Sequence, residues 1–377
     1  MKKSISLFMS LIIILTLVFA TGCGKNDANK SKKTNSNEST TKKITDLAGR
    51  SVEVPKNIKT IVALGAGGLR MICYAGAQDL VVGVEEGEKT KTLAKGYNYI
   101  NYDKFKDLPT IGQGGAGGYT AYDEEIVKLN PDVIIAAYPK DLSDDLQTKT
   151  QIPVVAVAYQ GIFDDNFDES MILIGKILGV ERRCNEVVTY LDKLQKDLND
   201  RTKDIPEENK PKVYTGACSF SGGHGIEGTY TQFPPFTAIN LKSVSDELSD
   251  KSNGVIVDLE KIVSWNPDII FLDPNNMGLV NENYAKNKNY YKSLKAVKDG
   301  KVYTQVAYNW YTTNVETAII DAYYAGKIVY PDQFKDVDIE KTANEIYTKM
   351  LGKSASNYYQ DMVNGGLGWR QLTIGEK

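Results

Sequence analysis

Glu124-Glu125-Ile126-Val127-Lys128-Leu129-Asn130-Pro131-Asp132-Val133-Ile134-Ile135 reads as a helix that stops at a proline and a strand that starts just beyond it. The phrase returns as Glu260-Lys261-Ile262-Val263-Ser264-Trp265-Asn266-Pro267-Asp268-Ile269-Ile270-Phe271, with seven of the twelve aligned positions identical. An Asn-Pro-Asp turn alone ends helices in many α/β proteins. Here the identities run back through the helix, which argues an internal repeat. Between the two copies, Cys184, Val187, Val188, Leu191, Leu194 and Leu198 recur at helical spacing over residues 182–201. At the standard rise that helix spans about 30 Å. The expected fold is α/β: two similar lobes with mainly parallel sheets flanked by helices, bridged by one long helix, with a crevice between them.

Outward from this centre, Lys2 and Lys3 precede an apolar run over residues 7–20 and the small residues before Cys23, the layout of an export signal. Ala20-Thr21-Gly22-Cys23 resembles the lipobox of bacterial lipoproteins, with Ala20 where leucine is usual, so Cys23 is the expected lipidation site. Residues 24–43 are Asn, Ser, Thr and Lys with almost nothing apolar and read as a flexible tether. Residues 44–165 form the first lobe, opening with a hairpin around Ala48-Gly49-Arg50 and including a polar surface insertion over 85–107. Residues 166–204 form the bridging helices. Residues 205–372 form the second lobe with two closing helices.

Composition excludes several functions. A net charge of −3 gives no case for nucleic acid, whose phosphates call for a basic surface. Cys73, Cys184 and Cys218 are too widely spaced for a disulfide framework or a CxxC metal site and read as buried thiols. His224 is the only histidine, so no imidazole shell for a bare metal exists, and neither a resident metal nor a cofactor is expected. A hydrolase would have to use His224 without a Gly-x-Ser-x-Gly elbow, and no catalytic residue is assigned. Residues 112–117 match G-x-G-x-x-G, but no acidic residue closes a following strand at the distance dinucleotide binding needs.

What remains is binding. Three glycine-rich stretches, residues 65–68, 112–118 and 219–228, each follow a strand, and ligands of open parallel sheets lie beyond the carboxyl ends of strands. Nearby stand Arg70, Tyr119, Tyr138, Tyr159, His224, Tyr230, Asn309, Trp310 and Tyr311. Flat aromatic faces with a few donors suit a bulky organic chelate better than a naked ion. Each tyrosine taken singly also fits a half-buried scaffold role, Arg70 an interlobe contact, and His224 a structural loop residue.

Ile44-Thr45-Asp46-Leu47-Ala48-Gly49-Arg50, Val54-Pro55, the segment from Gly76-Ala77 to Val82-Gly83-Val84 and both Asn-Pro-Asp phrases together resemble the iron-complex and vitamin B12 substrate-binding proteins of ABC importers. The resemblance implies a lipid-anchored, monomeric receptor on the outer face of the cytoplasmic membrane, with a ligand in the cleft and small lobe movements. It implies a ferric siderophore-type complex as ligand, with cobalamin, haem, molybdate or tungstate as alternatives on the same scaffold. A secreted hydrolase using His224 is a distant alternative outside that family. It also implies an ABC permease with its ATPase subunits as partner, docking on a glutamate of each lobe, which match Glu124 and Glu260. Glu125 is adjacent to the first.

Overall fold

The computed structural model describes residues 39–114 and 119–375. The signal segment, Cys23, most of the tether and the last four residues of the 112–118 glycine run lie outside the described residues. The described chain opens as an antiparallel hairpin, β1 (Thr41–Thr45) against β2 (Ser51–Pro55). Residues 41–43, read as tether, are paired strand: Lys43 faces Glu53 and Thr41 faces Pro55. Their polar side chains carry no hydrophobic signal, and the pairing is decided by the partner, whose Val52 and Val54 are buried. In the turn, Asp46 Oδ1 accepts the amides of Ala48 and Arg50, while Oδ2 accepts from Arg50 Nη1 and the amide of Ala156. That one carboxylate shapes the turn and fastens it to the sheet.

Next come β3 (Ile61–Leu64), α1 (Gly68–Tyr74), β4 (Val81–Gly83), α2 (Gly96–Phe105), α3 (Asp123–Leu129), β5 (Val133–Ala136), α4 (Lys140–Thr150) and β6 (Val154–Ala156). They make a four-stranded parallel sheet of order β4-β3-β5-β6. Helices α5 (Asp165–Leu178) and α6 (Glu181–Thr202) follow and pack side by side. The 22 residues of α6 span about 33 Å. Then come β7 (Val213–Gly216), β8 (Gly228–Thr231), α7 (Pro234–Thr237), β9 (Asn253–Ile256), α8 (Leu259–Trp265) and β10 (Ile269–Leu272). The chain closes with α9 (Met277–Lys286), α10 (Lys288–Ser293), α11 (Lys295–Lys298), β11 (Val302–Thr304), α12 (Val315–Val329), α13 (Ile339–Leu351) and α14 (Tyr358–Asn364). The second sheet is parallel, of order β11-β10-β7, and β8 and β9 form a hairpin that sequence reading did not anticipate.

The two Asn-Pro-Asp phrases do the same three jobs. Asn130 and Asn266 end α3 and α8 in the left-handed conformation, each with φ of 48°. The proline that follows has no N–H and cannot continue the helix. Asp132 Oδ2 then accepts the amide of Lys59 at 2.7 Å, and Asp268 Oδ2 accepts that of Lys212 at 3.0 Å. Lys59 leads into β3 and Lys212 into β7, the strands beside β5 and β10. Each aspartate thus sets the register of a parallel pair from its first residue.

Along each strand, side chains alternate between two cores, as parallel strands covered on both faces require. Val62, Leu64, Ile134 and Val154 face one small core, and Tyr214, Ile270 and Leu272 face another. The opposite faces, with Ile61, Ala63, Val133 and Val155 of the first sheet and Val213, Ile269 and Phe271 of the second, share a single core. Helix α12, buried from Val315 to Gly326, contributes to it, and Tyr74 of α1 donates to its Glu316. The halves are therefore fused along their inner faces as well as bridged by α6. The insertion over 85–107 also belongs to the interior: Glu88, Tyr97, Asn98 and Phe105 are buried, and Glu88 accepts from Lys95, Tyr97 and Asn98. Its polar composition reflects this buried network rather than exposure to water. Among the described residues no helix is long and apolar enough to cross a membrane.

Candidate functional site

The carboxyl ends of β3, β5 and β6 open into a cavity of ≈ 780 Å³ lined by Ala66, Tyr119, Tyr138, Tyr159, Gln160 and Thr312, among others. The carboxyl ends of β7 and β10 open into a second, of ≈ 810 Å³, lined by Ser219, Phe220, Ser221, Asn276, Trp310 and Tyr311, among others. One turn separates them, with Trp310 and Tyr311 facing one cavity and Thr312 the other. The two cavities are the halves of one groove divided by this ridge.

The ridge is unusually constrained. Tyr311 and Thr312 both hold positive φ, 54° and 64°, a conformation that costs a non-glycine residue energy and must be held from outside. The holder is Arg70. Its Nη2 donates to the Trp310 carbonyl at 2.8 Å and its Nη1 to the Tyr311 carbonyl at 3.1 Å and to Tyr159 Oη. The guanidinium also lies 4.7 Å over the Tyr97 ring. Arg70 is fully buried, so its expected place among ligand contacts is corrected: the interlobe alternative is the one the geometry supports. Burial raises the Glu316 carboxyl above its ordinary value, opposed by the Tyr74 bond and the Arg70 charge.

The first glycine stretch explains itself by close approach. Gly67, with φ of 92°, lies where a side chain would collide with the Tyr159 ring and Thr312, and Gly65 lies under the Tyr138 ring. Tyr138 and Tyr159 are nonetheless each 6% exposed and line the groove. Tyr119 is 53% exposed and meets Tyr138 edge-on at 5.1 Å. The Tyr138 hydroxyl is buried and has no hydrogen-bond partner among the described residues.

In the second half, Asn309 and Trp310 line the groove, and Trp310 is 44% exposed. Tyr230 stands behind, its hydroxyl accepting from Asn309 Nδ2 at 3.0 Å, so it fixes Asn309 instead of lining the cavity. His224 also turns inward. Its Nε2 lies 2.9 Å from the Phe220 carbonyl and its ring stacks on Phe220 at 4.2 Å, which makes it the structural loop residue of the two options. Among the described residues no group of three or more His, Cys, Asp or Glu could hold a metal ion. Cys73, Cys184 and Cys218 are buried free thiols.

Sequence reading missed Glu85. It is 2% exposed, its Oε1 accepting the Gly65 amide at 3.0 Å and its Oε2 accepting from Tyr311 Oη at 2.8 Å. Burial pushes its carboxyl up to about 7, against the two bonds that pull it down. A signal was available, since Glu85 lies two residues past the end of β4, as the glycine turns follow their strands. Lys140 and Asp164 are the charged residues of the groove lining, and both are engaged: Lys140 with Asp144 at 2.6 Å, and Asp164 with the amides of Gln160 and Asn166.

Outside the groove, Glu124 and Glu260 are exposed in the first turns of α3 and α8, the matching positions of the repeat. Neither makes an ion pair among the described residues, whereas the neighbouring Glu125 lies 3.6 Å from Lys128.

Two fused parallel-sheet halves thus carry a ligand-sized groove at the carboxyl ends of their strands. Residues 61–307 match the periplasmic binding protein family, and the chain belongs to that family. The molybdate-binding protein MolA of Haemophilus influenzae is 24% identical over 335 residues, covering 82% of this chain and 91% of MolA. The petrobactin-binding protein YclQ of Bacillus subtilis is 24% identical over 326 residues, covering 82% of this chain and 93% of YclQ. In structure, molybdate-bound MolA superposes with a TM-score of 0.63 at 22% identity over 82% of this chain and 98% of MolA. A TroA-like periplasmic binding protein FepB from Veillonella parvula superposes with a TM-score of 0.62 at 24% identity, over 82% of this chain and 96% of that one. These likenesses carry the fold.

Proposed function

We propose that the protein is the extracytoplasmic substrate-binding component of an ABC importer, held to the membrane through Cys23, and that it captures an iron complex of the ferric siderophore type without acting on it chemically. The observation that carries this reading is the groove itself. Its two cavities, ≈ 780 and ≈ 810 Å³, suit a bulky ligand, and exposed Tyr119 and Trp310 offer flat faces to an organic shell. Two relatives support it by what they bind, the petrobactin-binding protein and an Fe(3+)-citrate-binding protein of Bacillus subtilis, the latter 27% identical over 50% of this chain. Ser221, Asn275 and Asn309 line the second cavity and offer it polar groups.

A second reading keeps the scaffold and changes the ligand to an oxyanion. MolA favours it by name, and Ser219, Ser221 and the glycines between them and His224 could present donors to one. Quenching of Trp310 emission by ferric citrate, a ferric siderophore, cobalamin, haem and molybdate, each titrated separately, decides between the two. Saturable quenching by a ferric complex is expected. A response to molybdate alone would replace the iron assignment with the second reading.

A further inference from the structure

We infer that Glu85 is the positioning residue of the groove: its carboxylate holds the first glycine turn and the Trp310–Thr312 ridge at a fixed spacing, and ligand grip depends on that spacing. This inference rests on the groove being the ligand site.

Three segments converge on this side chain, two of them bordering the groove. The Gly65 amide donates to one oxygen from the first sheet, and the Tyr311 hydroxyl donates to the other from the second half. Gly114 closes over it so tightly that a Cβ there would sit 2.9 Å from Glu85 Cβ and Cδ. Tyr311 is 226 residues away in sequence, so no local element sets the distance between it and Gly65. The Arg70 bonds reach only the ridge backbone. The Glu85 bond reaches the Tyr311 side chain, and with it the face that the ridge turns towards ≈ 810 Å³ of groove. A carboxylate suits this place because both partners are donors and each of its oxygens can take one. Leaving it buried with only one partner would be costly, which keeps the two contacts together.

Three variants separate positioning from bulk stability. Glu85→Ala removes both acceptors. Tyr311→Phe removes a single hydroxyl and keeps the fold's packing. Glu85→Gln keeps an acceptor for the Gly65 amide and offers an amide donor to the Tyr311 oxygen. Acrylamide quenching is measured on each with and without Trp310→Phe, so that the difference reports Trp310 alone in the ligand-free protein. Glu85→Ala and Tyr311→Phe are expected to raise the Trp310 quenching constant about twofold and to weaken ferric citrate binding about tenfold, with Glu85→Gln near wild type in both. Unchanged Trp310 quenching in Tyr311→Phe, or no rescue by glutamine in a folded variant, would overturn the inference. If wild type binds neither ferric citrate nor any other probe, the proposed ligand falls, while the quenching measurement still judges Glu85.

Discussion

Arg70 Nη2 donates to the Trp310 carbonyl at 2.8 Å, so a side chain of the first half fixes the backbone that the second half presents to the groove. Sequence separation between the two is 240 residues. The pair explains how positive φ persists at Tyr311 and Thr312 without glycine.

Arg70→Met keeps the volume and removes the charge and the donors. It removes the donors that two ridge carbonyls accept from and the cation that faces Glu316. Breaking such a buried arrangement costs about 3–5 kcal/mol. A fall of that size in the urea-unfolding free energy is expected, and a change below about 1 kcal/mol would show that Glu316 is neutral and the ridge holds itself.

Asn130→Ala and Asn266→Ala force alanine into the left-handed conformation that ends α3 and α8. Each is expected to cost about 1 kcal/mol, and the corresponding glycine variants much less. The sites lie beside different sheets with no shared partner, so the double alanine variant should be additive in denaturant midpoints at constant slope.

Glu85 predicts a pH effect on stability. Burial raises its folded-state value from 4.5 to about 7, so between those values the folded protein holds a proton the unfolded chain has released. Its contribution is fullest below pH 4.5 and is lost as pH rises towards 7. Glu85→Gln removes this dependence. The stability of the glutamine variant relative to wild type should therefore rise between pH 4.5 and 7.5, by at most about 3 kcal/mol. A constant difference across that range would mean that Glu85 stays ionised throughout.

Glu124→Arg with Glu260→Arg is expected to abolish uptake in cells while leaving ligand affinity in solution unchanged. Both side chains are exposed, make no ion pair among the described residues and occupy matching positions of the repeat. Normal uptake by the double variant would remove them from permease docking.

Much of the architecture was legible because it rests on periodic or repeated signals. The expected helices over 168–178 and 182–201 match α5 and α6 within three residues at each end, and both Asn-Pro-Asp phrases end a helix and begin a strand. The residues expected to bind separated by what lies behind them. Tyr119, Tyr138, Tyr159, Asn309, Trp310 and Tyr311 line the groove, whereas Arg70, His224 and Tyr230 brace its walls. Spacing alone could not sort them, since a donor near a loop looks the same whether it faces cavity or backbone. Glu85 and the Glu88 network were missed for a related reason. A polar stretch reads as surface unless its long-range partners are known, and those of Glu85 lie in Gly65 and Tyr311.

The last helices bear on how the chain comes to be finished. Tyr358 donates to the Leu93 carbonyl across 265 residues, Tyr99 donates to Asp361, and Arg183 joins the Tyr74 carbonyl to those of Lys349 and Met350. Helix α13 lies against α1 and α2, so the earliest-made sheet obtains part of its cover from the latest-made segment. A nascent chain lacking its final forty or so residues keeps that surface uncovered, and closure over so long a loop is slow. The first sheet should therefore stay pliable until α13 and α14 are made and pack onto it.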